Sequence, residues 1–276
     1  MATEQFYDDN KANWDDRAKV HVGSEMYRMD EYATDPTAIS DIVQFDVERF
    51  GSLEGLSVAH LQCHVGTDTI SLERLGAKSV VGLDFSPIEI AEARKMIERA
   101  GASTRFVEAS VYDAPQAIGH TVDLVYTSIG TICWLHDLDA WAAAAAGLLE
   151  PGGRFYIRDV HPFFFIFEDL DGEIVPTYPY WFTPDEPLSW DEGETYCNNP
   201  DGTTITNTKL HEWNHSLPEI INALIGAGMR IDGLDEHKMI PWPYSPSCVK
   251  EAGGWYLPEP RRSQVPTLFS LHATKL

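Results

Sequence analysis

The residues best suited to chemistry fall in a fixed order along the first half of the chain. Leu61-Gln62-Cys63-His64-Val65-Gly66-Thr67-Asp68 closes a short apolar run in a tight turn. Val80-Val81-Gly82-Leu83-Asp84 ends in an acid, followed by Phe85-Ser86-Pro87. Glu108-Ala109-Ser110-Val111-Tyr112-Asp113, the run Val122 to Ser128, and Leu148-Leu149-Glu150-Pro151-Gly152-Gly153 come next. A turn pivoting on Gly66 lets the backbone approach a charged ligand closely. An acid at Asp84 can accept both hydroxyls of a ribose, and Ser110 with its neighbours can line an adenine. Together these describe an adenosine-containing ligand.

Regular elements must position those groups, and the sequence supplies them. Ser57–Leu61, Ser79–Leu83, Arg105–Glu108, Thr121–Thr127 and Arg154–Asp159 read as short apolar strands. Helices over 67–75, 86–100 and 139–149 separate them, with stops at Gly76, Gly101 and Pro151-Gly152-Gly153. Strands alternating with helices predict a doubly wound, mostly parallel sheet, whose ligands bind at the carboxyl ends of the strands. Every turn named above lies at that edge. Ser86, with Pro87 and Glu89, and Ser216 with Pro218 and Glu219, each spell a helix start of the capping-box type. A strand over 230–236 and a last one over 267–274 follow the second of these, separated by a proline-rich loop over 237–266. Residues 1–55 read as an N-terminal segment with helices over 6–21 and 37–50. Residues 163–212, rich in aromatic, proline and acidic residues, read as a lid-like insertion of loops and short hairpins within one domain spanning 1–276.

Composition narrows the ligand. Of 276 residues, 43 are acidic and 20 basic, a formal charge of −23. Such a surface repels phosphate backbones and anionic lipid, which argues against nucleic acid or a membrane as partner and leans towards neutral or cationic small molecules. The longest apolar stretches, 141–149 and 162–167, are far short of the ~20 residues of a membrane span. The first ten residues carry neither a basic nor an apolar signal region. The four cysteines form no C-x-x-C pair; reduced thiols and a cytoplasmic location are expected.

A dinucleotide fold wants G-x-G-x-x-G, and here only Gly66 stands, with Gln62 and His64 in the way of a pyrophosphate. The order of motifs instead resembles the class I methyltransferases that use S-adenosylmethionine, over about Ser57 to Lys275. Within that class it more closely resembles one bacterial subgroup, whose first turn reads H-L-Q-C-H-x-G. That subgroup also resembles this chain at Asn13-Trp14, Tyr126-Thr127-Ser128, Trp134-Leu135 and Trp213-Asn214-His215-Ser216. The resemblance implies a Rossmann-like methyltransferase fold of seven strands, the last antiparallel and paired with the sixth. It implies S-adenosylmethionine as cofactor, S-adenosylhomocysteine as product, and methyl transfer to an oxygen, nitrogen or sulfur nucleophile of a small-molecule acceptor. Against the broad family, His60 stands for the usual acid, Gln62 and His64 for two glycines, and Ser110 for an aspartate. A nicotinamide-dependent oxidoreductase and a non-catalytic binder of adenosyl ligands are the alternatives.

The expected cofactor-binding set is Gln62, Cys63, Gly66, Asp84, Phe85, Ser110, Val111 and Ser128. Gln62 is expected at the amino-acid end of the cofactor. His161, just past the fifth strand, is the first candidate for a general base, with a hydrogen-bonded structural histidine before Pro162 as its alternative. His136 and His215 are further candidates. His60, Cys63 and His64 lack a fourth ligand, so no metal is expected. The aromatics Tyr178, Tyr180, Trp181, Phe182, Trp190 and Tyr196 suggest an acceptor lid, able to hold a cationic amine, or else a satellite core or a homodimer contact. Trp14 is expected to pack its helix onto the sheet, with closure over the cofactor as the alternative.

Overall fold

The structure is a computed structural model describing residues 2–276. Its centre is a seven-stranded sheet. Strands β1 (Ser57–Leu61), β2 (Ser79–Asp84), β3 (Arg105–Glu108), β4 (Val122–Thr127) and β5 (Leu149–Val160) are parallel; β10 (Met229–His237) and β14 (Leu268–Lys275) complete the sheet. The spatial order is β10-β14-β5-β4-β1-β2-β3. β14 runs antiparallel to both its neighbours, as the resemblance implies. The order reverses between β4 and β1, which puts the ligand crevice above those two strands.

Alternation along each strand feeds two cores. Ala59, Leu61, Val81, Leu83, Val125, Phe155 and Ile157 pack on one face under α6 (Ala114–Ile118), α7 (Leu138–Gly147) and α9 (Leu217–Gly226). Val58, Val80, Leu124, Tyr126 and Tyr156 pack on the other, under α3 (Asp41–Phe50) and α4 (Thr67–Arg74). Both faces of each strand are therefore apolar, as a sheet covered by helices on both sides requires. α5 (Pro87–Ala100) starts where Ser86 accepts from the Glu89 amide and stops at Gly101 in the left-handed region. Ser216 and Glu219 close a reciprocal capping box on α9. Glu89 does not do the same for α5; its carboxyl turns inward instead.

Three elements differ from expectation. The N-terminal helix α1 runs Ala2–Gly23, longer than its sparse apolar positions suggest, and a short α2 (Met29–Thr34) follows it. β5 begins before the Pro151-Gly152-Gly153 turn, with an irregular register against β4 there. The expected proline-rich loop over 237–266 contains a small sheet of β11 (Met239–Ile240), β12 (Val249–Glu251) and β13 (Gly254–Tyr256). The insertion itself holds α8 (Pro162–Phe165), the hairpin β6 (Phe167–Leu170) with β7 (Glu173–Pro176), and the pair β8 (Leu188–Asp191) with β9 (Lys209–Glu212). Phe164, Phe167 and Ile174 from the insertion bury against Ile240, Leu257 and Val265, so the two irregular segments share one satellite core.

Beneath the crevice, α3 is tied to the sheet by charge. Asp46 and Arg158 are both 0% exposed. Arg158 Nε lies 2.6 Å from Asp46 Oδ1, and the hydroxyls of Tyr126 and Tyr156 each donate to the same carboxylate at 2.7 Å.

Candidate functional site

A cavity of about 950 Å³ opens at the carboxyl ends of β1, β2 and β4. That is the upper end of the ~300–1,000 Å³ range of small-molecule sites. Its floor is the turn after β1. Gln62 and His64 both sit at positive φ, 54° and 51°, where glycine is the unstrained residue and others cost about 1–2 kcal/mol. The strain is held by hydrogen bonds. His64 N donates to Asp84 Oδ2 at 2.9 Å, and Gln62 Nε2 donates to the Thr131 carbonyl at 2.9 Å. Gln62 Oε1 is buried with no partner. Buried acceptors are seldom left so, which points to a donor arriving with the ligand.

Asp84, 4% exposed, lines the cavity. Its second oxygen accepts from Ser86 N at 3.1 Å. Burial raises its carboxyl and pushes the neighbouring Glu89 well higher, the charge of Asp84 adding to the effect on Glu89. Glu89 is the better proton holder of the two, because backbone amides steady Asp84 as an anion while Glu89 Oε1 has no hydrogen bond. Phe85, Ser110 and Val111 continue the wall beside Asp84. Ser110 caps the turn at 111–113 by accepting from Tyr112 N at 3.4 Å. Ser128 lines the wall from the end of β4, its hydroxyl 2.8 Å from His60 Nε2.

Of the expected cofactor set, then, Gln62, Cys63, Asp84, Phe85, Ser110, Val111 and Ser128 meet on one cavity, and Gly66 does not line it. Gly66, at φ 83°, serves the packing of the turn instead. A Cβ there would sit 2.5 Å from Cζ of Phe106, whose ring slots under the turn. The Cys63 thiol points into the same layer, and burial pushes it well above its usual range. That suits a packed residue and not a nucleophile.

The three candidate bases are placed elsewhere. His161 Nδ1 accepts from Phe163 N at 3.0 Å and its Nε2 faces Glu236 Oε1 at 3.0 Å, a helix-capping role outside the cavity lining. His136 contacts the Tyr112 hydroxyl at 3.3 Å, and His215 Nε2 contacts the Leu135 carbonyl at 2.6 Å. Neither lines the cavity. The histidine that does is His64. Its Nε2 lies 2.8 Å from His21 Nδ1 and 3.2 Å from Glu89 Oε1, and His21 Nε2 lies 2.8 Å from the Thr195 hydroxyl. Burial lowers both rings, His64 to about 3 and His21 to about 2. Among the described residues no group of three or more metal-ligating side chains gathers. His60 is spent bridging Thr69 and Ser128.

His60 gives a pH prediction. Burial lowers it to about 3, so it stays neutral in the folded protein while the unfolded imidazole protonates near 6.5. Its contribution is complete above pH ~6.5 and is lost as pH falls towards 3. Replacing His60→Gln should flatten the acid side of the stability curve by about one proton, about 1.4 kcal/mol per pH unit, in urea titrations between pH 6.5 and 4.

The roof was the part least visible in the sequence. α1 lays Tyr7, Asn10, Trp14 and Arg17 across the cavity. The Trp14 ring meets His64 edge-on at 5.6 Å and Trp134 at 5.2 Å, so it covers the crevice as well as packing its helix. α1 is stitched to the insertion. Asn10 exchanges two hydrogen bonds with the His211 backbone, and Asp16 accepts from Thr206 and Asn207. Ser86 in turn donates to Asp15 at 2.5 Å. The Trp213-to-Ser216 motif is likewise structural stitching: Trp213 donates to the Pro184 carbonyl, and Asn214 to those of Pro162 and Tyr180. Of the insertion aromatics named above only Tyr196 lines the cavity, hydrogen-bonded to Tyr27 at 2.5 Å; Trp181 is 81% exposed and holds nothing there.

Comparison with known proteins agrees with this architecture. Residues 58–153 match the family described as methyltransferase domain. No curated protein matches the chain significantly. Among solved structures it is similar to an S-adenosylmethionine-dependent methyltransferase from Mesorhizobium loti, at 18% identity and TM-score 0.54, covering 84% of this chain and 98% of that one. It is similar to a glycopeptide N-methyltransferase complexed with S-adenosylmethionine, at 16% identity and TM-score 0.54, covering 87% and 96%. It is also similar to the geranyl diphosphate C-methyltransferase of Streptomyces coelicolor A3(2), at 13% identity and TM-score 0.53, covering 85% and 77%. No helix among the described residues is long and apolar enough to cross a membrane. Residues 58–153 thus match a methyltransferase domain, and the chain has the Rossmann-like fold seen in solved S-adenosylmethionine-dependent methyltransferases.

Proposed function

We propose that the cavity binds S-adenosylmethionine and that the protein transfers its methyl group to an oxygen, nitrogen or sulfur nucleophile of a small molecule. One observation carries the reading. The buried Asp84 carboxylate and the unpartnered Gln62 Oε1 face one cavity at the switch point of the sheet. The two ends of an adenosyl amino acid need those two groups: an acceptor for a ribose diol and an acceptor for an α-amine. Phe85, Val111 and Leu135 line the same cavity and offer the base apolar surface.

When bound, S-adenosylmethionine supplies a sulfonium methyl, which an acceptor lone pair takes as the carbon–sulfur pair returns to sulfur. This chain's residues then act by position. Asp84 fixes the ribose end. Gln62 fixes the amino-acid end. Trp14 and its helix exclude water from above, which strengthens every polar contact below. Any proton the acceptor loses has no partner among His161, His136 and His215, since none of them lines the cavity.

Calorimetric titration of the wild-type protein with S-adenosylmethionine, S-adenosylhomocysteine and NAD tests the reading. Micromolar binding of both adenosyl ligands and none of NAD is expected. Binding of NAD instead would favour the oxidoreductase alternative. Failure of both adenosyl ligands to bind would overturn the reading.

A further inference from the structure

The cavity holds a cation that the adenosyl reading leaves unused. Arg17 is 8% exposed, on the inner face of α1. Its guanidinium lies 5.5 Å from the Trp14 ring. Among the described residues it makes no hydrogen bond and no ion pair, and its Nε is buried without a partner. Two other cations line the cavity, and like Arg17 each lies near an aromatic ring. Arg28 pairs with Glu31 and the Tyr32 hydroxyl, and Lys250 lies over the Trp255 ring. A desolvated cation in an apolar wall is costly unless an anion meets it, and the same low dielectric makes that meeting strong.

Its surroundings say which anion. The acidic and polarisable groups that act most on Arg17 are Tyr196, Glu212, Glu192 and Cys197, all from the insertion, and its charge acts in turn on His21 and Cys133. None comes from the turn after β1, from Asp84 or from residues 110–112, where the adenosyl ligand is placed. Glu212, on β9, also lines the cavity; one of its oxygens accepts from Trp190 Nε1 at 3.0 Å. Arg17 and Glu212 thus face one space with no ion pair between them, and burial raises the Glu212 carboxyl, so an arriving cation would favour its carboxylate form. Resting on the function proposed above, we infer that they form the acceptor end of the cavity, and that the acceptor is a small zwitterionic amino acid. Its carboxylate sits on Arg17 and its amine on Glu212. Charge at long range favours the same class. The −23 surface repels anionic acceptors, but a molecule of no net charge crosses that field freely.

The test is binding to the protein saturated with S-adenosylhomocysteine, so that the cofactor's own carboxylate is already placed. The probes are L-phenylalanine, its amide, and 3-phenylpropanoate, with glycine, glycinamide and acetate as a smaller set. Wild type should bind at least one zwitterion ten-fold or more tighter than its two analogues. Arg17→Gln should erase the preference over the amide, and Glu212→Gln the preference over the deaminated acid. Both variants should keep S-adenosylhomocysteine affinity within about three-fold. Equal binding within each set, or no binding, overturns the proposal. So does a ten-fold loss of S-adenosylhomocysteine affinity in Arg17→Gln, which would give Arg17 to the cofactor. If wild type fails to bind S-adenosylhomocysteine at all, the underlying cofactor reading fails instead.

Discussion

Replacing Asp46→Ala is expected to cost about 3–5 kcal/mol of stability, the largest single loss anticipated in this protein. The carboxylate is fully buried and receives two bonds from Arg158, at 2.6 and 3.2 Å, and one each from Tyr126 and Tyr156. Removing it strands a buried guanidinium whose Nη1 already lacks a partner. The Phe45 ring, 4.5 Å from that cation, offsets only part of the loss. Set against a typical total of about 5–15 kcal/mol, the variant would be close to unfolding at 37 °C. The double variant Asp46→Leu with Arg158→Met removes both charges and should recover most of the loss, because the desolvation cost disappears with the pair. Urea unfolding of wild type, Asp46→Ala and the double variant measures this. If Asp46→Ala costs under 1 kcal/mol, the pair is not holding α3. The consequence reaches the site, since Ser40, Asp41 and Ile42 at the start of α3 line the cavity.

The pair also marks what a sequence reading reaches and what it does not. Strands of the sheet announce themselves as apolar runs, and caps such as Ser216-Leu217-Pro218-Glu219 are local chemistry, so both were legible. The place of Asp84 at the cavity was legible because it depends on a strand end, a local fact. In the sequence α1 reads as a polar helix with a few apolar positions. Its buried residues are mostly polar: Asn10, Asn13, Asp16, Arg17 and His21, beside only Ala18 and Val20. Hydrophobic periodicity is blind to such a face, and the groups that satisfy it lie some 190–200 residues away. The same limit explains His161. A histidine after a strand at the active edge looks like a base, and only the Phe163 amide and Glu236 reveal a cap. Residues 237–266 read as loop because β11, β12 and β13 are two or three residues long, too short for alternation to register.

Asp84→Ala should weaken binding of S-adenosylmethionine and S-adenosylhomocysteine by a factor of about 100 or more. Hydrogen bonds to a buried carboxylate contribute roughly 1.5–3 kcal/mol each, and a ribose diol offers two. Every 1.4 kcal/mol is about ten-fold in affinity. The variant also loses acceptors for His64 N and Ser86 N, so the strained turn at 62–64 loses one of its restraints. That second effect needs separating from the first. Asp84→Asn keeps an acceptor for one amide and retains the shape; it should lose less, about ten-fold, while unfolding within a few degrees of wild type. A different pattern would show Asp84 holding only the turn: Asn restoring full affinity, with Ala losing affinity and stability in step. Calorimetry of both variants with S-adenosylhomocysteine, beside thermal unfolding of each, distinguishes the cases. Glu89→Gln gives the contrast. It removes a carboxyl whose proton affinity burial and the charge of Asp84 raise, and keeps a donor in its place. It should leave ribose binding within a few-fold, because the anion that meets the diol is Asp84.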